Sequence, residues 1–133
     1  MSADGTAGVE QLLAAARAGF ARVEPEAACA EAAQGAVIVD IRDEPQVAAE
    51  GAIPGARRIP RNVLEWRLDP ACPAADPTIA RPGARVILVC DEGYQSSLAA
   101  ATLRGFGIDA TDVIGGFRAW RAGGLPVVAA APE

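Results

Sequence analysis

The chain has 133 residues, 51% of them hydrophobic and 22% charged, which suffices for a buried core in one domain and excludes a disordered protein. Its 17 acidic residues outnumber its 12 basic ones, and the resulting net charge of -5 argues against nucleic acid and anionic membranes as partners. No apolar run approaches the roughly 20 residues that cross a bilayer, and the first eight residues lack the order of a secretion signal, so we expect a cytoplasmic protein.

The first half of the chain predicts three helices and one buried strand. Apolar residues recur at helical spacing from Val9 to Phe20 and predict an amphipathic helix that ends at Gly19. A second helix is predicted from Pro25 to Ala33, with proline in its first turn. The run from Ala36 to Ile41 is apolar and β-branched, which is typical of a strand in a parallel sheet covered by helices on both faces. Glu44 to Glu50 predicts one or two further helical turns.

The segment from residue 51 to residue 82 predicts shorter elements. Ile53 to Gly55 forms a turn into a short strand around Arg57 to Ile59, and Asn62 to Leu68 predicts a short helix. Residues 69–82 are rich in proline and lack periodicity. We therefore expect a surface excursion there and not a second domain.

The second half of the chain predicts two strands, each followed by a helix. Arg85 to Val89 is the clearest strand, and the helix after it should stop near Gly105 or Gly107. The apolar face of that helix is marked by Leu98, Ala99, Thr102, Leu103 and Phe106. Ala110 to Ile114 predicts the last strand and Phe117 to Ala122 the last helix. This alternation predicts one α/β domain over residues 1–133, with a core of about residues 22–128, an N-terminal helix at about 9–20, a mostly parallel central sheet and helices on both faces.

Cysteine and histidine usage limits the chemistry. The chain has no histidine and three widely separated cysteines, Cys29, Cys72 and Cys90. Ser-His, Cys-His and histidine-metal mechanisms are therefore excluded. Three cysteines without a Cys-x-x-Cys pair are too few for a zinc site or a disulfide framework, so we expect no metal.

Cys90 stands where a predicted strand turns into a helix. In parallel α/β sheets, ligands bind beyond the carboxyl ends of the strands, where backbone N–H groups and helix starts converge. We therefore expect the loop to form a cup for an anion and to favour the thiolate of Cys90. Gly93 allows the loop to curl tightly, and Ser96 or Ser97 is expected to cap the helix.

Four segments resemble motifs of the rhodanese superfamily and occur in the same order. They are Val39-Asp40-Ile41-Arg42, Gly51-Ala52-Ile53-Pro54-Gly55-Ala56, Cys90-Asp91-Glu92-Gly93-Tyr94-Gln95-Ser96-Ser97 and Ile114-Gly115-Gly116-Phe117-Arg118-Ala119-Trp120. The resemblance spans about residues 37–127 and implies a single rhodanese-like domain with sulfurtransferase activity.

The resemblance implies a reaction in two steps that needs no cofactor. The Cys90 thiolate takes a sulfane sulfur from a small donor such as thiosulfate, mercaptopyruvate or a persulfide, and the enzyme persulfide passes it to a thiol, protein or cyanide acceptor. The expected substrate-binding residues are those of the loop, Asp91, Glu92, Gly93, Tyr94, Gln95 and Ser96. Loop amides would stabilise negative charge on sulfur. We expect Asp40 and Arg42 to form an ion pair that braces the loop.

The loop departs from the family pattern, in which many members carry a basic residue there. Asp91 and Glu92 oppose an anionic donor and weigh against thiosulfate as the physiological donor. Candidate anion-binding cations lie elsewhere, at Arg58, Arg61 and Arg67. The related phosphatases use Cys-x5-Arg, and Ser96 stands at that arginine position, so we do not expect a phosphatase.

Other conspicuous side chains have simpler interpretations. Cys29 is expected to pack in a helix and Cys72 to be an exposed bystander. Trp66 and Trp120 are interpreted as core residues. Tyr94 is equally consistent with lining the substrate mouth and with simple exposure.

Two other functions compete with the sulfurtransferase. A rhodanese-like binding or regulatory module would use the acidic loop to dock a partner without turnover. A thiol redox sensor would require Cys72 within disulfide reach of Cys90, at about 6 Å between Cα atoms. Retention of cysteine at the first loop position favours the enzyme.

Overall fold

The computed structural model describes residue 6 and residues 8–130. The prediction that there is no secretion signal concerns the first eight residues, which lie mostly outside the described range. The predicted domain of residues 1–133 likewise includes ends that lie outside it. The helices are α1 (Val9–Arg17), α2 (Pro25–Ala33), α3 (Glu44–Glu50), α4 (Leu64–Leu68, preceded by a 3-10 turn at Arg61–Val63), α5 (Gln95–Arg104) and α6 (Gly116–Ala122). The strands are β1 (Val37–Asp40), β2 (Arg57–Arg58), β3 (Arg85–Val89) and β4 (Asp109–Asp112). No helix in the described part of the chain has the length and apolarity needed to span a membrane.

The four strands form one sheet in the order β2-β1-β3-β4, and every neighbouring pair is parallel. Parallel neighbours require crossover connections, and helices supply them between β1, β3 and β4. This arrangement confirms the predicted α/β fold. Since β3 lies between β1 and β4, the loop that follows β3 is placed at the centre of the carboxyl edge of the sheet.

The alternation of β3 side chains explains its uninterrupted apolar sequence. Val86 and Leu88 pack on one face in a cluster with α4 and α5, while Ile87 and Val89 pack on the other face with α2 and α6. Both faces are therefore buried, and no position of the strand after its first residue is left for a polar side chain. Trp120 completes the second cluster, as predicted.

Two sequence predictions about packing are wrong, and a third holds only in part. Trp66 is 59% exposed, because the short helix α4 buries Leu64 and Leu68 and turns Trp66 away from the core. On α5, Thr102 is exposed, since that helix buries a face made largely of small residues. The excursion at residues 69–82 is not wholly superficial, because Ile79 and Ala80 enter the first core cluster.

Helix α1 is shorter and less buried than predicted. It ends at Arg17, and of its apolar residues only Leu13 is buried, while Val9 and Leu12 are exposed. The helix packs chiefly against α5, the helix that follows the Cys90 loop. Its position next to α5 brings residues from the beginning of the chain to the back of that loop.

Candidate active site

Cys90 directly follows β3 and begins a loop that enters α5 at Gln95. Cys90 is buried, and the start of α6 holds the base of its loop. The Cys90 carbonyl accepts a hydrogen bond from the Phe117 N–H (2.8 Å), and the Asp91 carbonyl accepts one from the Arg118 N–H (3.1 Å). A Cβ atom at Gly116 would lie 2.6 Å from the Cys90 carbonyl oxygen, so this close approach requires glycine.

Two backbone amides converge on the Cys90 sulfur. The Gly93 N–H donates to Sγ over 3.2 Å and the Ser96 N–H over 3.4 Å. The predicted anion cup is therefore confirmed as a geometric feature. Gly93 has φ +89°, and a Cβ atom there would lie 2.9 Å from the backbone nitrogen of Gly115, so the curl of the loop depends on glycine. Both N–H groups are positioned to stabilise negative charge on the sulfur.

The predicted serine cap of α5 is wrong. Tyr94 occupies the N-cap position and no side chain caps the helix. The hydroxyls of Ser96 and Ser97 instead donate to one oxygen of Asp112, Oδ2, at 2.7 and 2.8 Å. Ser96 Oγ also lies 3.2 Å from Cys90 Sγ and accepts a hydrogen bond from the thiol. Ser96 thus connects the sulfur to a carboxylate behind the loop.

A buried ion pair supports the loop from behind. Asp112 lies at the end of β4 with its side chain fully buried, and Arg22 donates to it through Nε at 2.8 Å and Nη2 at 3.1 Å. Arg22 and Arg17 also donate to the Gly93 carbonyl, at 2.9 and 2.7 Å. Arg17 further donates to Ser97 Oγ at 3.0 Å. These bonds fix the peptide group between Gly93 and Tyr94.

Sequence reasoning did not identify Arg17, Arg22 or Asp112 as part of the site. Asp112 carried a signal, because a carboxylate directly before the apolar residues Val113 and Ile114 needs a partner when it is buried. The two arginines carried none, since their contacts with the loop span 71 to 80 residues of sequence.

The sulfur borders a pocket of about 770 Å³. The residues that line it are Ile41, Arg42, Asp43, Glu44, Gln46, Pro60, Arg61, Asn62, Cys90, Asp91, Glu92, Tyr94 and Gln95. Cys90 and four of the predicted loop residues therefore face one cavity, whereas Gly93 and Ser96 lie behind it. Tyr94 both lines this pocket and is 60% exposed, so the two interpretations of it are compatible.

Asp40 and Arg42 form the predicted ion pair, at 2.7 Å and with both side chains fully buried. Arg42 also donates to the Gly51 carbonyl at 2.9 Å, and its guanidinium carbon lies 3.8 Å from the centre of the Phe117 ring. Arg42 Nη1 is buried without a hydrogen-bond partner among the described residues. Arg42 therefore joins the β1 end to the segment that begins α6, and Asp40 holds it there.

Of the three predicted anion-binding cations, only Arg61 lines the pocket. Arg61 pairs with Glu65 at 2.6 Å. Arg58 and Arg67 lie on a neighbouring surface, where Arg58 pairs with Glu44 and Arg67 lies 3.8 Å from Asp76. Neither Arg58 nor Arg67 lines the pocket beside Cys90, although Arg58 pairs with Glu44, which does, so an anion-binding role for them stays a prediction.

One of the two loop acids is neutralised by a residue that sequence reasoning missed. Arg118 donates to Asp91 at 2.9 Å. That hydrogen bond, together with the charges of Asp91 and Glu92, raises the pKa of Arg118. Four carboxylates and two guanidinium groups line the pocket, so its mouth remains acidic.

The other two cysteines lie apart from this chemistry. Cys29 is half-buried and packs against the second core cluster, as predicted. Cys72 is also half-buried, which corrects the expectation that it is exposed. All three cysteines are free thiols.

Residues 25–123 match the family model described as "Rhodanese-like domain". Curated relatives include "Thiosulfate sulfurtransferase GlpE" of Pseudomonas fluorescens SBW25, 42% identical over 105 residues that cover 77% of this chain and 85% of the relative. The protein of the same name from Pseudomonas entomophila L48 is 40% identical over 105 residues, or 77% of this chain and 86% of the relative.

Solved structures show the same fold. A Rhodopseudomonas palustris CGA009 protein of unknown function, described as a "Possible Tyrosine Phosphatase", superposes with a TM-score of 0.83 at 34% identity and covers 96% of this chain and 98% of its own. The polysulfide-sulfur transferase of Wolinella succinogenes superposes with a TM-score of 0.69 at 24% identity, covering 90% of this chain and 85% of its own, and supports the fold alone.

Proposed function

The chain belongs to the rhodanese family of sulfurtransferases, and we propose that Cys90 carries the transferred sulfur as a persulfide. The observation that carries this proposal is the convergence of the Gly93 and Ser96 amides on Cys90 Sγ at the edge of the pocket. Hydrogen bonds to a charged group contribute roughly 1.5 to 3 kcal/mol each, and two of them can hold sulfur in its anionic form.

The reaction proceeds through two displacements at sulfur. In the first, the Cys90 thiolate attacks the outer sulfur of the donor, a new S–S bond forms, and the bond to the donor breaks with its electron pair on the leaving group; with thiosulfate the leaving group is sulfite. In the second, an acceptor thiolate or cyanide attacks the outer sulfur of the persulfide and Cys90 leaves as the thiolate. The loop amides stabilise the sulfur anion in both steps.

The pocket mouth influences which donors enter. The names of the curated relatives support thiosulfate as one donor. Asp43 and Glu92 at the pocket disfavour a dianion, whereas Glu44 is paired with Arg58. Of the three predicted cations, Arg61 is the one that lines the pocket and can contact an anion there. We propose that persulfides and mercaptopyruvate are used more efficiently than thiosulfate, with a thiol or a protein thiol as acceptor.

Mass spectrometry after incubation with thiosulfate, mercaptopyruvate or a persulfide donor tests this function. We expect wild type to gain the mass of one sulfur atom and Cys90→Ala to gain none. Cys29→Ala and Cys72→Ala are the matched controls, because both are free cysteines outside the pocket and should leave the adduct in place. The proposal fails if no donor yields an adduct, or if the adduct persists in Cys90→Ala.

We do not propose a phosphatase activity, although one structural relative carries that description. A Cys-x5-Arg phosphatase clamps phosphate oxygens with its arginine. Ser96 stands at that position here, fully buried and bonded to Asp112, so the loop presents no arginine to a phosphate.

A further inference from the structure

A chain of hydrogen bonds leads from the Cys90 sulfur to a buried carboxylate. The Cys90 thiol donates to Ser96 Oγ over 3.2 Å, and the Ser96 hydroxyl donates to Asp112 Oδ2 over 2.7 Å. All three residues are buried, with Ser96 and Asp112 wholly enclosed. Ser96 is therefore the only side chain among the described residues that bonds to the sulfur, and its orientation depends on Asp112.

The single hydroxyl proton of Ser96 has two acceptors beside it once the sulfur carries charge. While Cys90 is a thiol, its S–H donates to Ser96 and the Ser96 proton goes to Asp112. A sulfur anion has no proton to donate. The Ser96 hydroxyl can then turn toward Sγ and donate to it, since the two atoms are already within hydrogen-bond distance.

Asp112 keeps other partners when Ser96 turns. Ser97 Oγ donates to Oδ2 at 2.8 Å, and Arg22 donates through Nε to Oδ1 at 2.8 Å and through Nη2 to Oδ2 at 3.1 Å. A buried carboxylate left without partners would be costly, but these three bonds remain. Asp112 can therefore lose its hydrogen bond from Ser96 with little loss of stabilisation, and that hydroxyl becomes available to the sulfur.

We infer that Ser96 is a catalytic hydrogen-bond donor to the Cys90 sulfur anion and that Asp112 positions it. This inference rests on the proposed persulfide reaction. During discharge the acceptor bonds to the outer sulfur, the bond between that sulfur and Sγ breaks, and its electron pair stays on Sγ. The Ser96 hydroxyl donates to the growing thiolate beside the two loop amides, and the serine keeps its proton throughout.

The test compares Ser96→Ala with Ser97→Ala, because each removes one hydroxyl that donates to Asp112 Oδ2 and only Ser96 contacts the sulfur. Each protein is loaded with one sulfur, and its release to cyanide is followed in a single turnover. We expect discharge in Ser96→Ala to be about 10- to 100-fold slower than in Ser97→Ala, which corresponds to one hydrogen bond to a charged group. Ser96→Thr keeps the hydroxyl and should restore most of the rate.

The rate of loading separates this role from a structural one. Charge develops on Sγ during discharge and leaves Sγ during loading, so the loss of the Ser96 donor should slow discharge more than loading. General damage to the loop would slow both steps by the same factor. Asp112→Asn made in the Ser96→Ala background should add no further difference between discharge and loading, because the remaining partners of Asp112, Arg22 and Ser97, support the loop in both steps alike.

The outcomes distinguish the inference from the function on which it rests. If wild type takes no sulfur from any donor, both are wrong. If wild type loads and discharges but Ser96→Ala matches Ser97→Ala, or slows loading and discharge equally, the role of Ser96 is wrong and the persulfide reaction stands.

Discussion

Asp91 and Glu92 are adjacent acids on the loop that begins at Cys90, but their charges have different surroundings. Arg118 binds Asp91 at 2.9 Å and neutralises it, and the pKa of Arg118 is raised chiefly by that hydrogen bond. Glu92 is exposed and lines the pocket without an ion pair to any described residue. At the scale of single residues, Glu92 is thus the loop charge that an anionic donor meets.

Glu92→Gln should improve the use of thiosulfate. Removing one negative charge several ångströms from a dianion in a hydrated pocket should raise kcat/KM for thiosulfate about 2- to 10-fold. Steady-state kinetics with thiosulfate and cyanide measure the change. Glu10→Gln on α1 is the matched control, because it changes the net charge equally and lies outside the pocket; an equal gain in that variant would show that Glu92 has no special position.

Two elements outside the sheet and its crossover helices contribute contacts, one to the Cys90 loop and one to the core. Helix α1 lies outside the family-matched residues 25–123, yet Arg17 at its end binds the Gly93 carbonyl and Ser97. The excursion between α4 and β3 contributes Ile79 to the core and is organised around Asp76. That carboxylate accepts hydrogen bonds from the Thr78 hydroxyl (2.6 Å), the Thr78 N–H (2.9 Å) and Arg57 (2.7 Å).

The contribution of Asp76 to stability should depend on pH. The hydrogen bond from the Thr78 hydroxyl, followed by that from the Thr78 N–H, lowers the pKa of Asp76 below its ordinary value of 3.8. Stabilisation is therefore fully present above about pH 4 and is lost as the pH falls through the lowered folded-state pKa. Asp76→Asn should reduce the free energy of unfolding by up to about 1 kcal/mol at pH 7.

Urea unfolding of wild type and Asp76→Asn at pH 7 and near pH 3 measures this difference, which should shrink at the lower pH. Thr78→Val removes the principal cause of the shift and serves as the companion variant. It should weaken the pH dependence that Asp76 produces. A difference between wild type and Asp76→Asn that is the same at both pH values would contradict the assignment.

At the scale of the whole molecule, the net charge of -5 and the acidic pocket mouth act in the same direction. Both repel anions before they reach Cys90, and salt screens that repulsion. This repulsion of anions arises from the charges of the whole molecule together, so no single substitution should abolish it.

Alkylation of Cys90 by two reagents of similar size tests this field. Iodoacetate is an anion and iodoacetamide is neutral. Raising the ionic strength from about 0.01 M to about 0.3 M should speed the reaction with iodoacetate roughly 2- to 5-fold relative to iodoacetamide. The peptide that contains Cys90 is followed by mass spectrometry so that Cys29 and Cys72 do not contribute, and equal salt responses for the two reagents would contradict the prediction.

The local features of the site could be predicted because they depend on neighbours in sequence. The apolar run of β3 indicates a strand buried on both faces, and the glycine three residues after Cys90 allows the loop to curl so that Gly93 and Ser96 donate to the sulfur. Asp40 and Arg42 are only two residues apart, so their ion pair could also be predicted from residues that are close in sequence.

The sequence alone therefore determined the fold class, the position of Cys90 and the cup of amides around it, since periodicity and turn geometry act over a few residues. Only the tertiary structure decided that Ser96 bonds to the sulfur and Asp112 and does not cap α5, that Arg118 neutralises Asp91, and that Arg58 and Arg67 do not line the pocket. The physical reason is range: hydrogen bonds and ion pairs act over about 3 Å in space, and which distant residues come that close is set by how the helices pack on the sheet.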